Sequence, residues 1–238
     1  MKQRRLLIAA ASVVGFAATL SLGFWQLSRG KQKESLQAAI EQRGRERPVD
    51  ARELLGAADP ASLVHRRVVL TGQWDAAHTV FLDNRQMDGR VGFYVVTPLV
   101  IGRDAAIAVQ RGWAPRNFED RTRLPPVATP GAAVTIEGRL APPPAKLYEL
   151  GEAGRGAIRQ NLDLAAWRAE TKLPLMEHVS LQQTAAASEG LLRDWPAPAV
   201  TAERNYGYAV QWWAMSGLIA VLYVWFQLIA PHRRTRRA

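Results

Sequence analysis

LLIAAASVVGFAATLSLGFWQL, residues 6–27, contains no charged side chain. At about 1.5 Å per residue, its 22 residues form a helix of roughly 33 Å, close to the hydrocarbon thickness of a bilayer. AVQWWAMSGLIAVLYVWFQLIA, residues 209–230, is a second uncharged run of the same length. Rings cluster at the ends of both runs. Phe24 and Trp25 close the first, Tyr206, Tyr208, Trp212 and Trp213 open the second, and Tyr223, Trp225 and Phe226 lie near its end. Amphipathic rings favour the membrane interface, so these are belt residues. A core helix of a soluble protein seldom runs this far without a charge. A cleaved signal peptide is disfavoured as well. Its apolar region is usually shorter, and Trp25-Gln26-Leu27 is a bulky context for cleavage.

Charge and orientation follow from these runs. The net charge is +10, but seven of the 31 basic residues lie in the tails, at Lys2, Arg4, Arg5, Arg233, Arg234, Arg236 and Arg237. Between the tails stand 24 basic residues against all 21 acids, an ordinary surface rather than a nucleic-acid stripe. Short basic tails stay in the cytoplasm. The expected layout is a cytoplasmic tail at 1–5, a transmembrane helix at 6–27 and a periplasmic domain at 28–207. A second helix at 208–230 and a cytoplasmic tail at 231–238 complete it. Arg29, Lys31 and Lys33, just past the first run, oppose this bias, although long domains translocate largely regardless of charge. The lack of an Arg- and Ser-rich leader favours a bacterial inner membrane over a mitochondrial one. There is no cysteine, which excludes disulfides and thiolate sites.

The middle of the chain reads as strands. Ser28 to Glu46 continues as a polar helix that breaks before Pro48, and Ala51 to Ala58 is a short helix. Arg67–Trp74 alternates, with Val68, Leu70, Gly72 and Trp74 on one face. Thr79–Leu82, Phe93–Ile101, Ala105–Gln110, Ala133–Leu140 and Met176–Leu181 are further strands. Asn84–Gly92, rich in turn residues, is expected to be a hairpin loop. Proline clusters at 125–130 and 142–144 mark irregular loops, Leu162–Thr171 is helical, and Ala197–Glu203 is a linker. The expected class is α+β: two transmembrane helices flanking a mainly antiparallel β domain, a sheet or partly open barrel with a few short helices.

The signatures of catalysis are missing, with no Gly-x-Ser-x-Gly, phosphate-cradling loop or His-Glu-x-x-His. Gly151–Gly156 is read as a loop. His65, His78 and His178 have no metal-ligand spacing. Asp83 and Asp88 serve the turn, and a two-carboxylate hydrolase has no further support. Within the spans Gln211 and Gln227 are the strongly polar residues of the second run and should face protein. The pairs Ala11/Gly15 and Ser216/Ala220 let helix backbones approach.

Four motifs, in order, resemble the surfeit locus protein family, assembly factors for haem-copper cytochrome c oxidase. Gly23-Phe24-Trp25-Gln26 with Arg29 is similar to the exit of that family's first span. Asn84-Arg85 followed by Gly92-Phe93-Tyr94-Val95-Val96-Thr97-Pro98-Leu99 resembles its central signature. Arg111-Gly112-Trp113-Ala114-Pro115 resembles its Arg-Gly-Trp-x-Pro element, and Gly207-Tyr208-Ala209-Val210-Gln211-Trp212 its entry to the second span. The resemblance implies a helper, not an enzyme, that assists haem a placement in the oxidase catalytic subunit. Its implied partners are that subunit, haem a synthesis or delivery proteins, and membrane lipid. Members proposed to bind haem carry a histidine just before Gly-Tyr-Ala. Asn205 stands there, and asparagine is a poor iron ligand. That leaves Arg204 as a propionate partner and Trp212 as a stacking surface for a transient haem a.

On the residues themselves, Trp25 and Arg29 anchor the headgroup boundary, and Thr97-Pro98 should end or kink a strand. Arg111-Gly112-Trp113 is either a docking surface or a packed corner. A two-span periplasmic sensor with a separate output partner is the alternative, since such short tails hold no output of their own. A copper chaperone is disfavoured by the lack of Cys pairs and the scarcity of Met.

Overall fold

The computed structural model describes residues 2–230 except 121–122, 149–153, 155, 187 and 198–200. The chain forms two compact units, Met1–Ala38 with Ala197–Ala238, and Ala39–Pro196.

α1 (Lys2–Gly44), most of it in the first unit, is one continuous helix, about 65 Å long at 1.5 Å per residue. It runs well past the apolar stretch, as the polar continuation predicts. α4 (Ala202–Tyr223) passes into a π-helical turn at Val224–Ile229. The helix therefore takes in Ala202 and Glu203 from the expected linker, whose residues 198–200 lie outside the described ones. The most apolar window of each helix is only 6% buried. Two helices of this length and greasiness, with their surfaces bare, are the architecture of a two-span membrane protein.

Their packing is antiparallel, with a seam of small and polar side chains. Ser12, Gly15, Thr19, Gly23, Gln26, Gly30 and Lys33 of α1 turn inward at steps of three or four, the spacing of a left-handed helix pair. Gly15 meets Ile219, and Gly23 and Gly30 receive the rings of Trp213 and Tyr206, where any Cβ would clash. The seam differs from the expected one. Ala11 is exposed, and Ser12 occupies the inward position. Gln211 is also exposed instead of turning to the partner helix, and Gln227 is half-buried.

The second unit is built on seven strands. They are β1 (Arg67–Trp74), β2 (Val80–Met87), β3 (Arg90–Val100), β4 (Ala106–Pro115), β5 (Val134–Ala141), β6 (Ile158–Arg159) and β7 (Leu175–Gln183). Short helices α2 (Ala51–Gly56) and α3 (Leu164–Thr171) are capped by Asp50 and Asp163, whose carboxylates accept from Glu53 and Ala166 amides. The sheet order is β1-β5-β7-β4-β3-β2-β6, and β1 pairs again with β3 at Gln73↔Val100 and Trp74↔Leu99. Five strands thus close a ring through a two-residue seam, a partly open barrel. Pairing is antiparallel except for β2 with β6 and β4 with β7.

Val68, Leu70, Trp74, Leu99, Ile107, Val109, Ile136, Leu140, Val179 and Leu181 fill one core, which Val49 and Leu54 join. A second core sets Leu164 and Trp167 of α3 against Val80, Leu82, Val96 and Ala108.

Two expectations are corrected. Asn84–Gly92 is not a loop. β2 runs on to Met87, and the turn is Asp88-Gly89 alone, both at positive φ (50° and 73°), as two-residue hairpins of this hand require. The other turn-like residues mark an irregularity between Leu82 and Arg85, where Asn84 has a φ of 59°. Thr97-Pro98 does not end its strand either. Pro98 pairs with Ala108, and its carbonyl accepts from Asp75 N at 3.0 Å. Its backbone therefore faces away from β4, in the interval between the residues paired to β2 and those paired to β1. A missing N–H costs no ladder bond there.

Trp167 is 1% exposed and is the largest side chain that α3 contributes. Trp167→Ala should destabilise the domain by about 3–5 kcal/mol, read as a lowered midpoint in thermal unfolding of the detergent-solubilised chain.

Candidate functional site

The motif residues gather in two places. The first is the end of the barrel where β2, β3 and β4 meet. β4 is buried on both faces along nearly its whole length. That erases the alternation that marks a half-exposed strand, and the strand runs past the expected end at Gln110 to Pro115. A bulge opposite Val95–Val96 inserts Arg111 as an extra residue.

Arg111 is fully buried. Its guanidinium donates to Thr129 Oγ1 at 2.7 Å, Ala128 O at 2.5 Å and Glu189 Oε2 at 2.7 Å. It also stacks on Trp74, 4.6 Å from the ring centre. A buried charge persists only when paired in this way. Gly112 must be glycine. A Cβ there would lie 2.7 Å from Leu192 O and 2.8 Å from Leu191 Cβ, because Leu192 exchanges both backbone hydrogen bonds with Trp113.

The Trp113 indole, fully buried, donates to Arg85 O at 2.9 Å, and Arg90 lies 5.2 Å above its ring. Gly92 leaves the room that this ring occupies. The Arg85 guanidinium reaches Ala145 O and Gln160 O, each at 2.8 Å. Burial pulls its pKa down and pushes the neighbouring Tyr94 phenol up, and each charge opposes the shift in the other.

Arg85, Gly92, Arg111, Gly112 and Trp113 thus form one packed corner, with Asn84 and Pro115 exposed at its edge. Thr97 and Pro98 lie further along β3. Of the two readings of Arg111-Gly112-Trp113, the geometry is that of a corner: neither Arg111 nor Trp113 offers exposed surface. Asp83 accepts from Asn84 N and pairs with Arg116, both at 2.7 Å. Sequence reasoning missed Arg90, Arg116, Glu189 and the Leu191-Leu192 segment, and no short-range pattern marks them.

The second gathering is on the helix pair. Asn205 donates from Nδ2 to Gln26 Oε1 at 2.6 Å and accepts from Lys33 Nζ at 2.7 Å. Ser216 Oγ donates to Phe16 O at 3.3 Å. Phe24 meets Trp213 edge-on at 5.5 Å, and Arg29 lies 5.9 Å from the Trp25 ring centre. Arg204, Tyr208 and Gln211 are exposed, and Trp212 is half-buried.

For haem, this set does not fit iron ligation at position 205. Both ends of the Asn205 carboxamide are engaged, and an ammonium sits against its oxygen. No histidine lies in this unit among the described residues. Elsewhere, His78 Nδ1 pairs with Asp75 at 3.0 Å. Burial, reinforced by Arg139 and Arg43, holds the His65 pKa below its usual range. Among the described residues no three metal-capable side chains gather. Of the glycine-rich loop at 151–156, only Gly154 and Gly156 are among them.

Two bare apolar helices and a small barrel with a rigid arginine-tryptophan corner define a membrane-anchored β-barrel protein. The chain belongs to the SURF1 family, whose model matches residues 13–217; this is the family that the four motifs indicate, one of cytochrome oxidase assembly factors. It is similar to a SURF1-like protein of Rickettsia felis, 32% identical over 114 residues, covering 47% of this chain and 46% of that protein. A SURF1-like protein of Rickettsia conorii is 31% identical over 102 residues, 42% and 40% of the two chains. One of Dictyostelium discoideum is 29% identical over 111, covering 44% and 41%. The match spans less than half the length of these relatives.

Two substitutions test the corner. Trp113→Phe keeps the ring but strands the buried Arg85 carbonyl, an expected loss of about 1–3 kcal/mol in chemical denaturation of the solubilised chain. Gly112→Val forces the β4 corner off the Leu191-Leu192 segment. It should lower the yield of folded protein, with new protease cleavage in residues 185–195.

Proposed function

We propose that this chain is an assembly factor for haem-copper cytochrome c oxidase, acting on the catalytic subunit while haem a is placed. The observation that carries this reading is the family match, which starts within α1, takes in the whole barrel and ends within α4. The protein acts by contact and is not an enzyme. It sits in a bacterial inner membrane with both termini cytoplasmic and the barrel in the periplasm, as the basic tails indicate. Its partners are the catalytic subunit and proteins that make or deliver haem a. Any haem a that it meets is held transiently and without a ligand at Asn205. Arg204, exposed on α4, is the side chain available to a propionate, and Trp212 the ring available to a porphyrin face.

A clean deletion should lower assembled oxidase and its haem a absorbance together, with recovery on re-expression of the full chain. Unchanged oxidase spectra would sink the proposal. Co-purification with a kinase in place of oxidase subunits would move the protein to the sensor alternative. A reporter fused after residue 238 should be active only in the cytoplasm.

A further inference from the structure

Three cations directly past an apolar run oppose the charge bias of an outer face, and the structure accounts for two of them. Arg29 lies by the Trp25 ring and donates to Gln32 at 3.4 Å. Lys33 donates to Asn205. Lys31 makes no ion pair or hydrogen bond among the described residues. The acid nearest in sequence, Glu34, is taken by the Tyr206 hydroxyl.

Lys31 lies instead on a groove of about 450 Å³ along one face of α1, lined by Phe24, Leu27, Ser28, Lys31, Gln32 and Ser35. The steps of three and four put these residues in one stripe, whose first ring, Phe24, also meets Trp213 of α4 edge-on. The stripe changes character along its length. Phe24, 57% exposed, and Leu27 end the apolar run. A hydroxyl, an ammonium, a carboxamide and another hydroxyl follow within two turns.

We propose that this groove holds one anionic phospholipid, its acyl chain along Phe24 and Leu27 and its phosphate on Lys31, with Ser28 and Gln32 as further donors. Apolar below and cationic above matches the lipid's own division at the headgroup boundary, and the unpaired ammonium supplies the charge complementarity. The inference rests on α1 crossing a bilayer and is independent of the oxidase reading.

The test uses the full chain reconstituted in nanodiscs of equal phosphatidylglycerol and phosphatidylcholine, then released for native mass spectrometry. Retained phosphatidylglycerol should exceed phosphatidylcholine. Lys31→Ala should cut that preference about five-fold, Lys31→Glu should abolish it, and Lys172→Ala on the barrel unit should leave it unchanged. Position 31 is exposed on a helix, so circular dichroism should show both variants folded. Equal retention of the two lipids overturns the proposal, as does undiminished phosphatidylglycerol on Lys31→Glu. Displacement of the lipid by millimolar inorganic phosphate would overturn it too, by assigning the site to a free anion.

Discussion

A bilayer offers no hydrogen-bond partner, and the helix unit is organised around that constraint. Several polar groups that the helices carry into the seam find their partners within the pair, while the Trp213 indole N–H is buried without one among the described residues. Thr19 Oγ1 donates to Gly15 O, Ser216 to Phe16 O, and Asn205 is held between Gln26 and Lys33. Such bonds need the backbones close, and glycines allow it. Gly23 and Gly30 are notches for Trp213 and Tyr206, so the largest side chains of α4 become the fixings of the pair. The exposed apolar surface left over is what lipid covers.

The barrel unit solves the opposite problem, the burial of charge in a small domain. Arg111, Arg85 and Arg159 are all at least nine-tenths buried. Arg159 lies bidentate on Glu170, Arg111 on Glu189 and two loop groups, and Arg85 on two carbonyls. Arg111 and Arg85 tie loop groups to their strands and Arg159 ties β6 to α3, since a guanidinium presents a fixed fork of donors. The residues that look functional in the sequence, Arg111 and Trp113 above all, therefore act through shape. They hold β2, β3 and β4 in one geometry.

Position 205 carries a carboxamide that joins the two helices. Lys33 and Gln26, both on α1, complete its hydrogen bonding. The position is a clasp between helices, which sets the register of the pair as polar residues do at coiled-coil seams.

Much of the architecture was legible in the sequence because its signals are local. Two uncharged 22-residue runs state their own length, the polar helix past Leu27 follows by periodicity, and β1 alternates cleanly. The family was legible because four motifs stand in order. What stayed hidden depended on contacts between distant segments. β4 lost its alternation by being buried on both faces, and β6 is two residues long. Asn84 looked like a loop residue but marks an irregular strand, and Gly23 and Gly30 reveal their role only once Trp213 and Tyr206 lie on them. The residues of the corner came from the sequence, but its nature as a packed corner came from Leu191-Leu192 pairing with Trp113 across almost eighty positions. Periodicity reports which face of a segment is apolar; only tertiary structure decides what that face meets.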